Sequence, residues 1–255
     1  MRPSMGAERQ EVDVLIGCEE SQEMCIAFRR QGCNAFSCDL KPCSGGHPEW
    51  HLQDDVFKVM QLRKWDLIIL HPPCTYTAVC GNRWYWNSPL REKGALFCKR
   101  CWDEARSVCE QVVLEQPRTT MQRWIGKKTQ VIHPWQHGHP ETKETWLWST
   151  GVPLISVTND VYDEMMKLPK KERHKIWYAS PGEKRGEIRS KTFPGIANAF
   201  AVQLSRLGPS LATKQAEKRQ GVVQNTDNQL HSNISNTLSI KSDKFVDKIH
   251  HDLYY

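Results

Sequence analysis

No apolar run in this sequence approaches the ~18 residues that a membrane-crossing helix requires. The opening segment, MRPSMGAERQEV, has no apolar block of the secretory kind, so a cytosolic setting is expected, with no membrane partner. The cysteines follow no regular spacing, which argues for reduced thiols rather than a disulfide framework. Cys98 and Cys101 form a lone Cys-x-x-Cys with Cys109 nearby, and no second pair stands at zinc spacing. His133, His137 and His139 offer nitrogens, but no metal site is expected. The loop Gly17-Cys18-Glu19-Glu20-Ser21 lacks the three glycines that accommodate a pyrophosphate, which disfavours a nicotinamide dinucleotide. Internal repeats are absent as well.

What is present suits one sizeable domain with a small appendage: 255 residues, 39% of them apolar. The formal charge of +6 permits nucleic-acid binding without demanding it. Several of the ten tryptophans cluster with basic residues rather than lying in apolar runs.

From residue 12 to about 207, short apolar runs alternate with helical stretches. Val12–Ile16 reads as a strand ended by Gly17, and Ser21 as the cap of a helix with Met24, Cys25 and Phe28 on its inward face, stopping at Gly32. Ala35–Cys38 reads as a second strand and Leu67–Leu70 as a buried one stopped by Pro72 and Pro73. A helix over roughly Glu92–Gln111 leads to the strand Val112–Leu114. This rhythm predicts an α/β fold of the Rossmann-like kind, a mostly parallel sheet with helices on both faces. The expected organisation is an N-terminal extension (1–11), a catalytic core (12–148), a short insertion (149–189), a closing helix (190–208) and a tail (209–255). That tail is rich in Asn, Gln, Ser and Lys and is expected to be disordered, because it has too little apolar surface to offset its ordering entropy.

Three positions fall where a nucleoside-binding sheet needs them. Gly17 follows the first strand, where a backbone turns tightly and approaches a ligand. Asp39 ends the second strand at close to the ~20-residue interval expected for a carboxylate that holds ribose hydroxyls. Asp55 is placed to accept from an adenine amino group. Each taken alone also reads as an ordinary strand-ending turn residue. A phosphate-free donor such as S-adenosylmethionine suits the acidic loop, its sulfonium lying near Glu19.

The sharpest signal is Trp65-Asp66-Leu67-Ile68-Ile69-Leu70-His71-Pro72-Pro73-Cys74-Thr75. A buried strand delivers two prolines and then a cysteine to the ligand edge of the sheet, and the prolines fix where the next side chain points. A thiol held there is a strong nucleophile if nearby positive charge lowers its pKa. Cys25 and Cys38 fall in the core pattern and are expected to be inert.

Over residues 12–207 the chain resembles the DNA cytosine-5 methyltransferases, and more closely their short phage-type members. Pro72-Pro73-Cys74 matches the turn that carries the family's nucleophile. Glu115-Gln116-Pro117 matches its Glu-Asn-Val motif, with Gln116 in place of asparagine. Gly138-His139-Pro140-Glu141-Thr142-Lys143-Glu144-Thr145 keeps the frame of a third motif, Gly-x-Pro-Gln-x-Arg-x-Arg, although Glu141 and Thr145 depart from it and only Lys143 retains positive charge. Gly195-Ile196-Ala197-Asn198-Ala199 is similar to the closing helix, whose Asn-Ala pair lies beside the cofactor.

The resemblance implies S-adenosylmethionine as cofactor and DNA as partner, with no obligate protein partner, in a bacterial or phage-infected cell. It implies Cys74, Glu115 and Lys143 as catalytic residues. Around the cofactor it implies Ile16, Gly17, Cys18, Glu19, Asp39, Leu40, Asp55, Val56, Pro72 and Asn198. Thiolate addition at ring carbon 6, with Glu115 hydrogen-bonding ring nitrogen 3, makes carbon 5 nucleophilic. Glu115 must then be partly protonated, so a raised pKa is expected.

Substrate contacts are expected from Arg83, Trp84 and Tyr85 in a loop that closes over a flipped base, and from Lys143 and Arg189. Lys184, Arg185, Arg189 and Lys191 form a basic patch. The Trp-rich stretch reads equally well as a lid packed on its own domain, and the basic patch as a solvated face. Residues 149–189 leave little chain for target recognition. Two other readings stay open: an enzyme of the same fold acting on another base position or a free nucleotide, and an inactive DNA-binding relative.

Overall fold

The computed structural model of the protein describes residues 11–180 and 184–207. The tail expected at 209–255, and all of the expected N-terminal extension except Glu11, lie outside the described residues. Among the described residues no helix is long and apolar enough to cross a membrane.

The first half of the chain runs β1 (Asp13–Gly17), α1 (Glu23–Arg30), β2 (Asn34–Cys38), β3 (His51–Leu52), α2 (Val56–Gln61), β4 (Leu67–Leu70), α3 (Asn82–Tyr85) and α4 (Pro89–Val108). It continues through β5 (Val112–Pro117), α5 (Gln122–Ile125), β6 (Gln130–Ile132), β7 (Thr145–Thr150), α6 (Tyr162–Lys167), α7 (Lys170–Arg173), α8 (Lys184–Ser190) and α9 (Pro194–Leu204). The strands form one seven-stranded sheet in the order β3-β2-β1-β4-β5-β7-β6. All neighbours from β3 to β5 are parallel, and β7 runs antiparallel to both β5 and β6.

Side-chain alternation along the strands sends apolar residues to both faces. Val14, Ile16, Leu67, Ile69 and Val113 share a buried cluster with Met24, Phe28, Ile196 and Phe200, so α1 and α9 cover that face together. Leu15, Ile68, Leu70 and Leu114 have the opposite parity and are fully buried. Their face receives α4, which packs on β4 and β5 and also against α2. The fold is Rossmann-like, as the strand pattern predicts.

Element ends differ where local chemistry outweighs the apolar pattern. Helix α4 begins at Pro89, three residues before the expected start. Ser88 caps it by accepting from the Leu90 N–H at 3.2 Å, and Pro89 suits a first-turn position that needs no N–H. Ser21 does not cap α1. The Glu19 carboxylate does so instead, accepting from the N–H groups of Met24 at 2.6 Å and Cys25 at 3.2 Å. Glu115 lies inside β5 rather than after it, because the pairing with β7 runs on to Pro117.

Candidate active site

The chain leaves β1 toward β2 on one side of the sheet and leaves β4 toward β5 on the other. The gap between the carboxyl ends of β1 and β4 is therefore the topological switch point, where open α/β sheets bind ligands. His71 stands there. Its N–H donates to the Gly17 carbonyl at 2.9 Å, carrying the β1–β4 ladder one residue past the strand. Pro72 and Pro73 follow, and the N–H groups of Thr77 and Ala78 both donate to the Cys74 carbonyl, at 3.2 and 2.9 Å. Cys74 is thereby held in a closed turn as a partly buried residue.

Gln116 braces that turn from β5. Its side-chain N–H donates to the Pro72 carbonyl, and its Oε1 accepts from the Thr77 hydroxyl at 3.0 Å. At 1% exposure it is part of the interior. Gln116 thus fixes the turn that carries Cys74.

Two further side chains reach the same edge. Glu115 projects from β5, and its Oε2 accepts from His71 Nδ1 at 2.6 Å. Because β7 starts opposite Pro117, the loop before it is delivered to the carboxyl end of β5, and Lys143 comes with it. Lys143 Nζ donates to the Lys191 carbonyl at 3.5 Å and lies over the Phe193 ring. Its charge acts on Cys74, Glu115 and His71 alike.

The electrostatics show no net lowering at Cys74 and correct the expectation of a raised Glu115. Burial pushes the Cys74 thiol up to about 11, and the nearby Lys143 and Arg189 charges oppose that rise without reversing it. Burial also works to raise Glu115, but the hydrogen bond and charge of His71, with Lys143 behind them, outweigh it and hold the carboxyl below its ordinary value. Burial works to lower His71, while its bond to Glu115 and the charges of Glu115 and Glu19 raise it. Both shifts favour an imidazolium bonded to a carboxylate, where the sequence alone suggests a protonated acid.

The residues expected around a cofactor divide into two groups. Asp39 follows β2 directly and is buried at the edge, with Oδ1 accepting from the Lys41 N–H at 3.0 Å; burial raises its pKa. Cys18 occupies a left-handed turn at φ 60°, so the tight turn falls there and not at Gly17. Gly17 is required for another reason: a Cβ would stand 2.6 Å from Val56 Cγ2 and 2.7 Å from Leu70 Cδ2. Leu40 is half-buried beside Asp39, and its carbonyl accepts from Gln53 at 3.1 Å.

The second group serves the fold. Ile16, Val56 and Pro72 are buried, so their side chains belong to the interior. Asp55 caps α2 by accepting from the Phe57 N–H at 2.9 Å. Asn198 lies on the exposed side of α9, and no hydrogen bond ties it to the ends of β1 and β2 among the described residues.

Beyond the Cys74 turn, α3 presents Arg83 and Trp84 to solvent, Trp84 at 71% exposure, with the guanidinium over the indole ring at 5.1 Å. Tyr85 instead packs edge-on against Tyr76. Arg189 in α8 donates to Cys80 Sγ at 3.4 Å, which brings the basic segment to the loop after Cys74. Lys184 offers no described side chain, and Arg185 is bound to the carbonyls of Trp177 and Ala179. Of the altered motif positions, Glu141 is buried and pairs with Lys175 at 2.9 Å, while Thr145 is a buried β7 residue.

Sequence reasoning missed His71 as a partner of Glu115. Its position at the end of a buried strand, immediately before the two prolines, was the available signal. The separate core role of Cys25 agrees with its burial, which pushes its thiol up to about 12. All ten cysteines carry free thiols.

No family model and no curated protein matches the chain. Among solved structures, the bifunctional kinase-methyltransferase WbdD is similar at 15% identity and a TM-score of 0.33, over 57% of this chain. The matched region spans 36% of that protein's chain.

Proposed function

We propose that this chain methylates carbon 5 of cytosine in DNA, with S-adenosylmethionine as donor and Cys74 as covalent nucleophile. The observation that carries this reading is the convergence of Cys74, Glu115 and Lys143 at the carboxyl edge of β4 and β5. A thiol, a carboxyl group and an ammonium side by side are what nucleophilic addition to an electron-poor ring requires.

The donor set at the β1–β2 edge fits a phosphate-free nucleoside. Asp39 would hold ribose hydroxyls, and the backbone from Gly17 to Glu19 would line the donor's amino-acid end. The Glu19 carboxyl group itself occupies the α1 amino end, so the place where a pyrophosphate would sit is taken. When ionised it suits a sulfonium. S-adenosylmethionine, when bound, supplies an electrophilic methyl group.

Lys143 compensates charge as the Cys74 thiol ionises. Its thiolate adds to ring carbon 6, and the carbon 5–carbon 6 electron pair shifts toward ring nitrogen 3, which Glu115 hydrogen-bonds. Carbon 5 takes the methyl group and then loses its proton, and the thiolate leaves as the double bond reforms. A polynucleotide substrate is supported by Arg83, Trp84 and Arg189 beside the turn. It is also supported by the segment from Gln116 to Pro140, which carries Arg118, Arg123, Lys127 and Lys128 and no Asp or Glu.

Incubating the protein with methyl-labelled S-adenosylmethionine and DNA, then digesting to nucleosides, tests the reading. Labelled 5-methylcytosine is expected. Label on an exocyclic nitrogen, or on free nucleotides alone, would replace it with one of the same-fold alternatives, and no transfer would leave a non-catalytic DNA-binding protein.

A further inference from the structure

His71 is the one side chain at the site whose two ring nitrogens are treated differently by the fold. Nδ1 bonds Glu115 Oε2 at 2.6 Å, while Nε2 is buried without a hydrogen-bonding partner among the described residues. Among the described residues, Oε2 is the one Glu115 side-chain oxygen with a hydrogen-bonding partner. We propose that His71 is the positioning residue for Glu115, fixing Oε2 through Nδ1–H and keeping on Nε2 the proton that Oε1 must carry when a pyrimidine docks. This inference rests on the function proposed above.

The proton count balances. Imidazolium and carboxylate together hold two ring protons and none on the carboxyl group. Moving the Nε2 proton to Oε1 leaves a neutral imidazole, still donating from Nδ1, and a carboxylic acid that donates from Oε1. The pair stays net neutral throughout, so the shift creates no buried charge. As the Cys74 thiolate adds to carbon 6, the Oε1–H bond breaks and its proton passes to ring nitrogen 3. On elimination the same proton returns to Oε1. An unpartnered N–H inside a protein is costly, which favours releasing it once the base supplies a partner for Oε1.

The groups facing His71 come from three segments: Glu115 in β5, Glu19 in the loop after β1, and Lys143 before β7. Both carboxylates favour the imidazolium and Lys143 opposes it, with the carboxylates prevailing. The Cys74 thiol titrates far higher, at about 11, and contributes a rising rather than a falling limb to activity against pH.

The test compares pH–rate profiles of methyl transfer for wild type and His71→Asn, whose amide still donates to Oε2 but stores no proton. Wild type is expected to lose activity on a limb centred above the ordinary imidazole value of about 6.5. His71→Asn is expected to be about a hundredfold slower at neutral pH, with that limb displaced toward acid by at least about one unit. A uniform slowing with an unmoved limb, or no slowing, would overturn the assignment. If His71→Asn does not fold, the His71 ring is titrated by NMR in wild type and Glu115→Gln: a lower midpoint in the variant is expected, and an unmoved one would overturn the pairing. Nucleoside analysis of the wild-type product separates the two levels: no 5-methylcytosine removes the proposed function, whereas 5-methylcytosine with an unmoved limb removes only the role of His71.

Discussion

The two halves of the ligand edge use acidic residues in opposite ways. At the β1–β2 end, Glu19 caps α1 and Asp55 caps α2, so two of the three carboxylates expected to meet a cofactor are already bound to backbone N–H groups. At the β4–β5 end, Glu115 is held by a side chain that titrates, and its charge depends on His71 and Lys143. One half is locked by the fold, while the other is poised by neighbouring charges.

The largest expected effect lies in the poised half. Cys74→Ser should reduce methyl transfer by at least about a thousandfold while leaving donor binding within about twofold, as single-turnover assays and calorimetry would show. Retained transfer would break the contrast outright, since the β4–β5 edge would then hold no nucleophile.

In the locked half, Glu19 should leave its mark on stability. Burial, opposed by the His71 charge and by its bonds to the α1 amides, raises its carboxyl from 4.5 to about 7. The folded state therefore favours the protonated form, so this stabilisation is full below pH ~4.5 and is lost as pH rises toward about 7. A shift of that size corresponds to about 3 kcal/mol. Glu19→Gln should flatten the decline, read from urea unfolding at a series of pH values; an unchanged slope would place the titration elsewhere.

Lys143→Met should raise the Cys74 thiol further and slow transfer by roughly tenfold to a hundredfold, with slower iodoacetamide labelling of Cys74 near neutrality. Unchanged labelling would remove Lys143 from the poised set. Gly17→Ala sharpens the packing side, because the added methyl meets Val56 and Leu70 side chains rather than backbone. A loss of about 1–3 kcal/mol is expected from thermal unfolding.

The fold was legible because β1 and β4 are apolar runs ended by turn residues, and runs buried on both faces are typical of a parallel sheet covered by helices. The Cys74 turn was legible as well, since two prolines after a buried strand leave the cysteine little freedom. Helix starts were less so: Ser21 looked like a cap, yet the capping carboxylate stands two residues earlier, beyond the usual local spacing. Charge states were hidden for a different reason. The bond between His71 and Glu115 joins residues far apart in the chain, and no local pattern reports that a buried acid faces an imidazole. Asn198 shows the converse, a residue placed by motif whose helix turns it outward.

The central claim is that the Cys74 sulfur bonds to a pyrimidine ring during turnover. Mixing the protein with S-adenosylmethionine and DNA containing 5-fluorocytosine blocks loss of the carbon 5 substituent and should arrest the reaction at the adduct. Intact-mass analysis with peptide mapping is then expected to find DNA attached to the peptide carrying Cys74. Methyl transfer to ordinary cytosine without any such attachment, or attachment at another cysteine, would contradict it.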